Sequence, residues 1–95
     1  MATVFLQRWD NAMTPEQYDE LRELVGWDTN PSAGMRVHVA CFEGPILRML
    51  DVWDTEEQFQ SFVETRILPG LQKLGIDGMP DLIVLPLHEL SGTGF

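Results

Sequence analysis

The sequence predicts an α+β domain of βαββαβ order, four antiparallel strands with two helices on one face. Three observations carry that expectation. Runs rich in strand-favouring residues lie at 3–9, 35–42, 45–54 and 82–87. Two segments of helical periodicity, each opened by a capping sequence, separate the first run from the second and the third from the fourth. With 95 residues, 44% of them hydrophobic and 22% charged, the chain has the length and composition of a single folded unit, so residues 1–95 are read as one domain.

The first run ends at Asp10-Asn11. Both of its faces are apolar enough that alternation leaves open whether Phe5, Gln7 and Trp9 or Val4, Leu6 and Arg8 look inward. Thr14-Pro15-Glu16-Gln17 is a helix start: Thr14 can cap the exposed amides, Pro15 suits the first turn, and Gln17 completes a capping box. Met13 and Tyr18 stand at the spacing of a hydrophobic staple. Tyr18, Leu21, Leu24 and Val25 then recur at helical spacing, and Gly26 supplies the stop. Residues 27–34 have loop composition.

The next two runs form a hairpin with Glu43-Gly44 as its two-residue turn. Asp54 or Thr55 caps the second helix, and Glu56 and Glu57 suit its positive end. Its apolar stripe is Phe59, Phe62, Val63, Ile67, Leu71 and Leu74; Pro69-Gly70 predicts a kink or short break, and Gly75 ends it. Pro86 in the last run favours an edge position. The tail, residues 91–95, is expected to be mobile unless a partner chain holds it. Right-handed crossovers then give the strand order 4-1-3-2, a ferredoxin-like sheet.

That turn places Phe42 opposite Pro45, Ala40 opposite Leu47, His38 opposite Met49 and Arg36 opposite Asp51. One face of the hairpin then carries Met35, Val37, Val39, Cys41, Ile46, Leu50 and Val52, polar only at Arg48, and is predicted to lie under the helices with Cys41 a buried, inert thiol. The other carries Arg36, His38, Ala40, Phe42, Leu47, Met49, Asp51 and Trp53. Two short helices cannot cover both faces, so a second copy of the chain is predicted to cover this one in a homodimer.

The formal charge of −9, from 15 acidic and six scattered basic residues, disfavours nucleic-acid and membrane-surface partners. No apolar run reaches the ~18–20 residues of a membrane span. The amino terminus predicts no signal peptide, and one cysteine builds no disulfide framework; together they point to a cytoplasmic protein. Nucleophile-elbow, dinucleotide, P-loop and zinc-protease motifs are absent, as is metal-ligand spacing among His38, His88 and Cys41.

His38 and Asp51 are the candidate catalytic pair. A strand histidine in a partly apolar cavity can shuttle a proton near neutral pH, with Asp51 or a water orienting it; the plain alternative is a core histidine satisfied by one hydrogen bond. Arg36, Met49, Trp53 and Phe42 are the candidate substrate-binding residues. Arg36 with Asp51 can orient a polar substrate group or form a structural ion pair. Trp53 and Trp9 can stack on a flat ligand or pack a core or an interface. His88 is expected at the surface or in a dimer contact.

In element order over nearly its whole length, and in the segments Val4-Phe5-Leu6-Gln7-Arg8-Trp9, His38-Val39-Ala40 and residues 51–59 (DVWDTEEQF), the chain resembles the dimeric α+β barrel superfamily. That superfamily includes cofactor-independent antibiotic-biosynthesis monooxygenases, haem-degrading enzymes, muconolactone isomerases and polyketide cyclases. The resemblance implies sheets paired into a barrel and a pocket between sheet and helices or inside the barrel. It also implies oxygenation or isomerisation of a small apolar or aromatic molecule without a bound cofactor. A non-catalytic binding or stress-associated dimer is the alternative. The haem-degrading branch combines a first-strand Asn, a Trp and a second-helix His; here residues 55–74 hold no His, the first strand offers Gln7, and only Trp53 is compatible.

Overall fold

The computed structural model describes residues 2–92, so the last three residues of the tail lie outside the described residues. Strand β1 (Thr3–Asp10) leads through α1 (Pro15–Leu24) to the hairpin of β2 (Met35–Glu43) and β3 (Ile46–Trp53). Helix α2 (Glu56–Phe62), a π-helical turn (Val63–Ile67) and α3 (Leu68–Lys73) follow, then β4 (Asp81–Pro86). The sheet is antiparallel in the order β2-β3-β1-β4, the expected order, with β4 on an edge.

Local chemistry explains the helix starts. Thr14 accepts from the Gln17 amide, and the Gln17 side chain accepts from the Thr14 amide at 2.8 Å, a reciprocal capping box. Thr55 rather than Asp54 caps α2, accepting from the Gln58 amide at 3.1 Å. The second helical segment does not break at Pro69. The Leu68 amide donates to the Val63 carbonyl, five residues back, so the ladder has already changed phase before the proline. Pro69 then occupies the first turn of α3, where its missing amide costs little. Gly70 lets α3 approach α1: a Cβ there would lie 2.8 Å from Cδ1 of Leu21.

The hairpin turn is Gly44-Pro45, one residue later than expected. Gly44 takes φ 55°, a left-handed value that suits glycine at the first position of a tight turn. Phe42 therefore faces Leu47, Ala40 faces Met49, and His38 faces Asp51 rather than Met49. Each partner moves by two residues, which preserves the division into faces while changing every pair across the ladder. A bulge between Met35 and Val37 ends the regular pairing, and Arg36 lies within it, bonded to Asp54 instead of Asp51.

The helices cover the face opposite to the one expected. Trp53, Leu47, Phe5, Trp9 and Asp51 are buried there against Phe59, Phe62, Leu21 and Leu71. Both faces are apolar, so hydrophobicity alone does not choose between them. Volume does: the aromatic side chains of β1 and β3 fill the gap beneath the helices, where Phe5 stacks on Phe59 at 3.8 Å between ring centres. It follows that Phe5, Gln7 and Trp9 look inward. Cys41 is consequently an exposed free thiol, and not a buried one. The uncovered face is aliphatic, running through Leu6, Val39, Leu50 and Ile83 with Arg8 and Arg48 beside them. Val39 is 50% and Ile83 56% exposed. No helix among the described residues is long and apolar enough to cross a membrane.

Candidate active site

A cavity of about 140 Å³ lies between the sheet and the helices. Strands β1 and β3 form its floor with Gln7, Trp9, Met49 and Asp51. Helix α1 supplies Tyr18 and Arg22, and the second helical segment closes it with Phe59, Phe62 and the π-turn residues Val63 and Ile67. The lining is apolar except for a few polar groups, the composition of a small-molecule site.

The polar groups are connected. Trp53 Nε1 donates to Asp51 Oδ2 at 3.2 Å, and His38 Nδ1 lies 2.6 Å from Asp51 Oδ1. On its other side, His38 Nε2 lies 2.6 Å from the hydroxyl of Tyr18. Arg22 donates to the same hydroxyl at 3.4 Å. With Asp51 ionised and His38 neutral, a donor faces an acceptor at every link: Nδ1–H points to the carboxylate, and Nε2 accepts from Tyr18. Both inner members are dry, His38 with 5% and Asp51 with 2% of the side chain exposed.

The flanking residues hold this line in place. Trp27 packs on the His38 ring with centres 4.2 Å apart, and edge-on against Phe62 at 4.9 Å. Arg22 forms two hydrogen bonds to Asp28, at 2.8 and 3.1 Å, and lies 5.8 Å over the Trp27 ring. The guanidinium beside Asp28 keeps that carboxyl below its ordinary range, and the same pairing secures the charge of Arg22. Burial pushes the Tyr18 phenol above its ordinary value, outweighing the opposing pull of Arg22. Tyr18 is thus a neutral hydroxyl at neutral pH.

The structure brings His38, Asp51 and Met49 to one place. Trp53 lies behind Asp51, fully buried, and supports it without lining the cavity. Trp9 does line it. Phe42 packs edge-on to Tyr18, with ring centres 6.2 Å apart, outside the lining. Arg36 is exposed and paired with Asp54, away from the cavity. His88 is exposed. No cluster that could hold a metal ion occurs among the described residues. Tyr18, Arg22 and Trp27 are members that sequence reasoning missed. Tyr18 is on the apolar stripe of its helix, and nothing in the linear pattern says that a hydroxyl there meets a histidine 20 residues away.

No protein-family model matches the sequence, and no curated protein matches it. Solved structures do. A candidate antibiotic biosynthesis monooxygenase from Chloroflexus aurantiacus J-10-fl superposes with a TM-score of 0.69 at 14% identity, over 99% of this chain and 100% of that one. The chain has the fold of an antibiotic biosynthesis monooxygenase-like protein. A mutant form of SnoaB, a cofactor-independent oxygenase from Streptomyces nogalater, matches at 0.68 and 13% identity over 94% of this chain and 95% of that one. Rv0793 from Mycobacterium tuberculosis matches at 0.64 and 18% identity over 96% and 100%. At such identities this monooxygenase-like fold is what the likeness shows.

Proposed function

We propose that the chain is a cofactor-independent enzyme of the monooxygenase or isomerase kind that takes a proton from a small apolar or aromatic molecule. The observation that carries this reading is the hydrogen-bonded line Tyr18–His38–Asp51, which reaches the cavity wall at Tyr18. His38 is not in the cavity wall, so Tyr18 is the group that touches substrate and is the catalytic residue. An acidic proton of the substrate passes to Tyr18 Oη while the tyrosine's own proton passes to His38 Nε2. The imidazolium so formed faces the Asp51 carboxylate, which stabilises it, and Arg22 supports the phenol oxygen between the two transfers. The substrate is left as an anion, ready for reprotonation elsewhere or for reaction with dioxygen. The shared fold with SnoaB supports the oxygenase branch.

The working unit is a homodimer in the cytoplasm. Support comes from the uncovered aliphatic face of the sheet, an apolar surface of the kind a second copy covers, and from the single free thiol. Haem is a poor fit: both ring nitrogens of His38 are engaged, and the cavity is of single-ring size.

The test is fluorine NMR of para-fluorophenol mixed with the protein, since its fluorine shift differs between phenol and phenolate. Bound probe in the phenolate form at a pH where the free probe is neutral, with that ionisation lost in Tyr18→Phe, is expected. Probe that binds only as the neutral phenol, unchanged by Tyr18→Phe, overturns the proton-transfer reading and leaves a binding dimer.

A further inference from the structure

Gln7 stands on central strand β1 in the wall of the cavity, apart from the Tyr18–His38–Asp51 line. The indole N–H of Trp9 donates to its Oε1 at 3.2 Å. An indole nitrogen can only donate, so the Gln7 atom facing it must be the carbonyl oxygen, which fixes the amide's orientation. Trp9 is itself buried and cannot turn away. The remaining Nε2 group offers two N–H donors and has no partner among the described residues. Gln7 therefore presents the cavity with hydrogen-bond donors only. Tyr18 supplies an acceptor, Arg22 is already paired with Asp28, both oxygens of Asp51 are engaged by His38 and Trp53, and most of the remaining lining is hydrocarbon, aromatic ring or thioether.

Cavity size restricts what meets both ends. An engineered apolar cavity of about 150 Å³ holds benzene. The present one, at about 140 Å³, is of a size to hold one aromatic ring with small substituents.

We infer that Gln7 is a specificity-determining residue, donating from Nε2 to a substrate oxygen that carries or gains negative charge, and that the substrate is a single-ring phenol or enolisable carbonyl compound. The inference rests on the proton-transfer reading for the identity of the opposite end of the site. Gln7 supplies the other half of the recognition: a developing oxyanion is stabilised by an N–H donor where water is scarce.

The test compares para-fluorophenol with fluorobenzene, a probe of nearly the same shape that lacks the oxygen, in wild type, Gln7→Glu and Tyr18→Phe. Gln7→Glu retains an acceptor for the Trp9 indole and replaces the donors with a carboxylate, so the fold has little reason to change. Para-fluorophenol is expected to bind wild type at least about tenfold more tightly than fluorobenzene. In Gln7→Glu that preference should disappear while fluorobenzene affinity stays the same, which also shows that the cavity remains formed. Equal preference in Gln7→Glu and wild type overturns the role of Gln7. Failure of both probes to bind wild type, or tighter binding of the three-ring 1,8-dihydroxyanthrone, overturns the single-ring substrate class. A phenol preference that depends on Gln7, without ionisation of the bound probe, supports Gln7 and removes only the proton-transfer reading.

Discussion

The hydroxyl of Tyr18, on α1, lies 2.6 Å from Nε2 of His38, on β2, and joins the helical layer to the sheet at the cavity edge. The contact closes a line whose far end is Asp51, so changing one member alters the hydrogen-bonding state of the next.

His38→Ala should be a poor probe of chemistry. It strands the Asp51 carboxylate, 2% exposed, with only the Trp53 N–H, and leaving a buried acceptor without its partner costs about 1–3 kcal/mol, more when it is charged. His38→Gln retains a donor for that carboxylate and should lose much less, while still abolishing ionisation of bound para-fluorophenol. Urea unfolding of the two variants checks the difference.

Asp51→Asn should invert the histidine. An amide replaces one acceptor with a donor, favouring an acceptor at Nδ1 and moving the ring proton to Nε2, where it points at Tyr18. Proton uptake from Tyr18 is then blocked in an otherwise similar structure, and activity should fall about a thousandfold or more, as for triads with a reversed tautomer. Nitrogen NMR of the His38 ring reads the tautomer directly.

Alkali should weaken the fold through Tyr18, which is faced by His38, Arg22, Asp51 and Asp19. Its pKa is raised on folding, so the native state holds the phenolic proton more tightly than the unfolded chain does. The associated stability is complete below the ordinary tyrosine value of about 10 and declines as pH rises from there through the folded value. This group steepens the decline by at most about 1.4 kcal/mol per pH unit. Denaturant titrations above pH 10 should give a shallower slope for Tyr18→Phe than for wild type.

Val39→Glu should leave the protomer folded and yield monomers. Val39 is half exposed on the uncovered face, so the carboxylate is solvated in the monomer and desolvated in a sheet-on-sheet contact. Light scattering of the eluting protein measures the mass. A wild type that is already monomeric removes the dimer.

Element order, both helix starts and the strand order are legible in the sequence because each rests on local chemistry: Thr14 with Gln17, Thr55 with Gln58, and a proline on the edge strand. Which residues share a face of the hairpin is legible too, since alternation survives a two-residue slip. The side that the helices cover is not. Val39 and Leu50 are as hydrophobic as the inward residues, and only the volume of Trp53, Phe5 and Trp9 beneath α2 decides the matter. Within the site, His38 and Asp51 stand out as polar residues in apolar strands. Tyr18 and Trp27 do not, because their roles depend on how far α1 and its following loop sit from β2, and residue spacing carries no such distance.

The π turn gives the cavity roof a length it would not otherwise have. Five residues, Val63–Ile67, accommodate one more residue than an α-helical path would, and two of them face the cavity. Were all five to follow an α-helical path instead, everything beyond them would rotate by about 100° relative to Phe59 and Phe62. Gly70 would then turn away from Leu21, and a bulkier neighbour would take its place against α1. The spare residue acts as a phase-setter: it lets one helix present its first half to the cavity and its second half to α1.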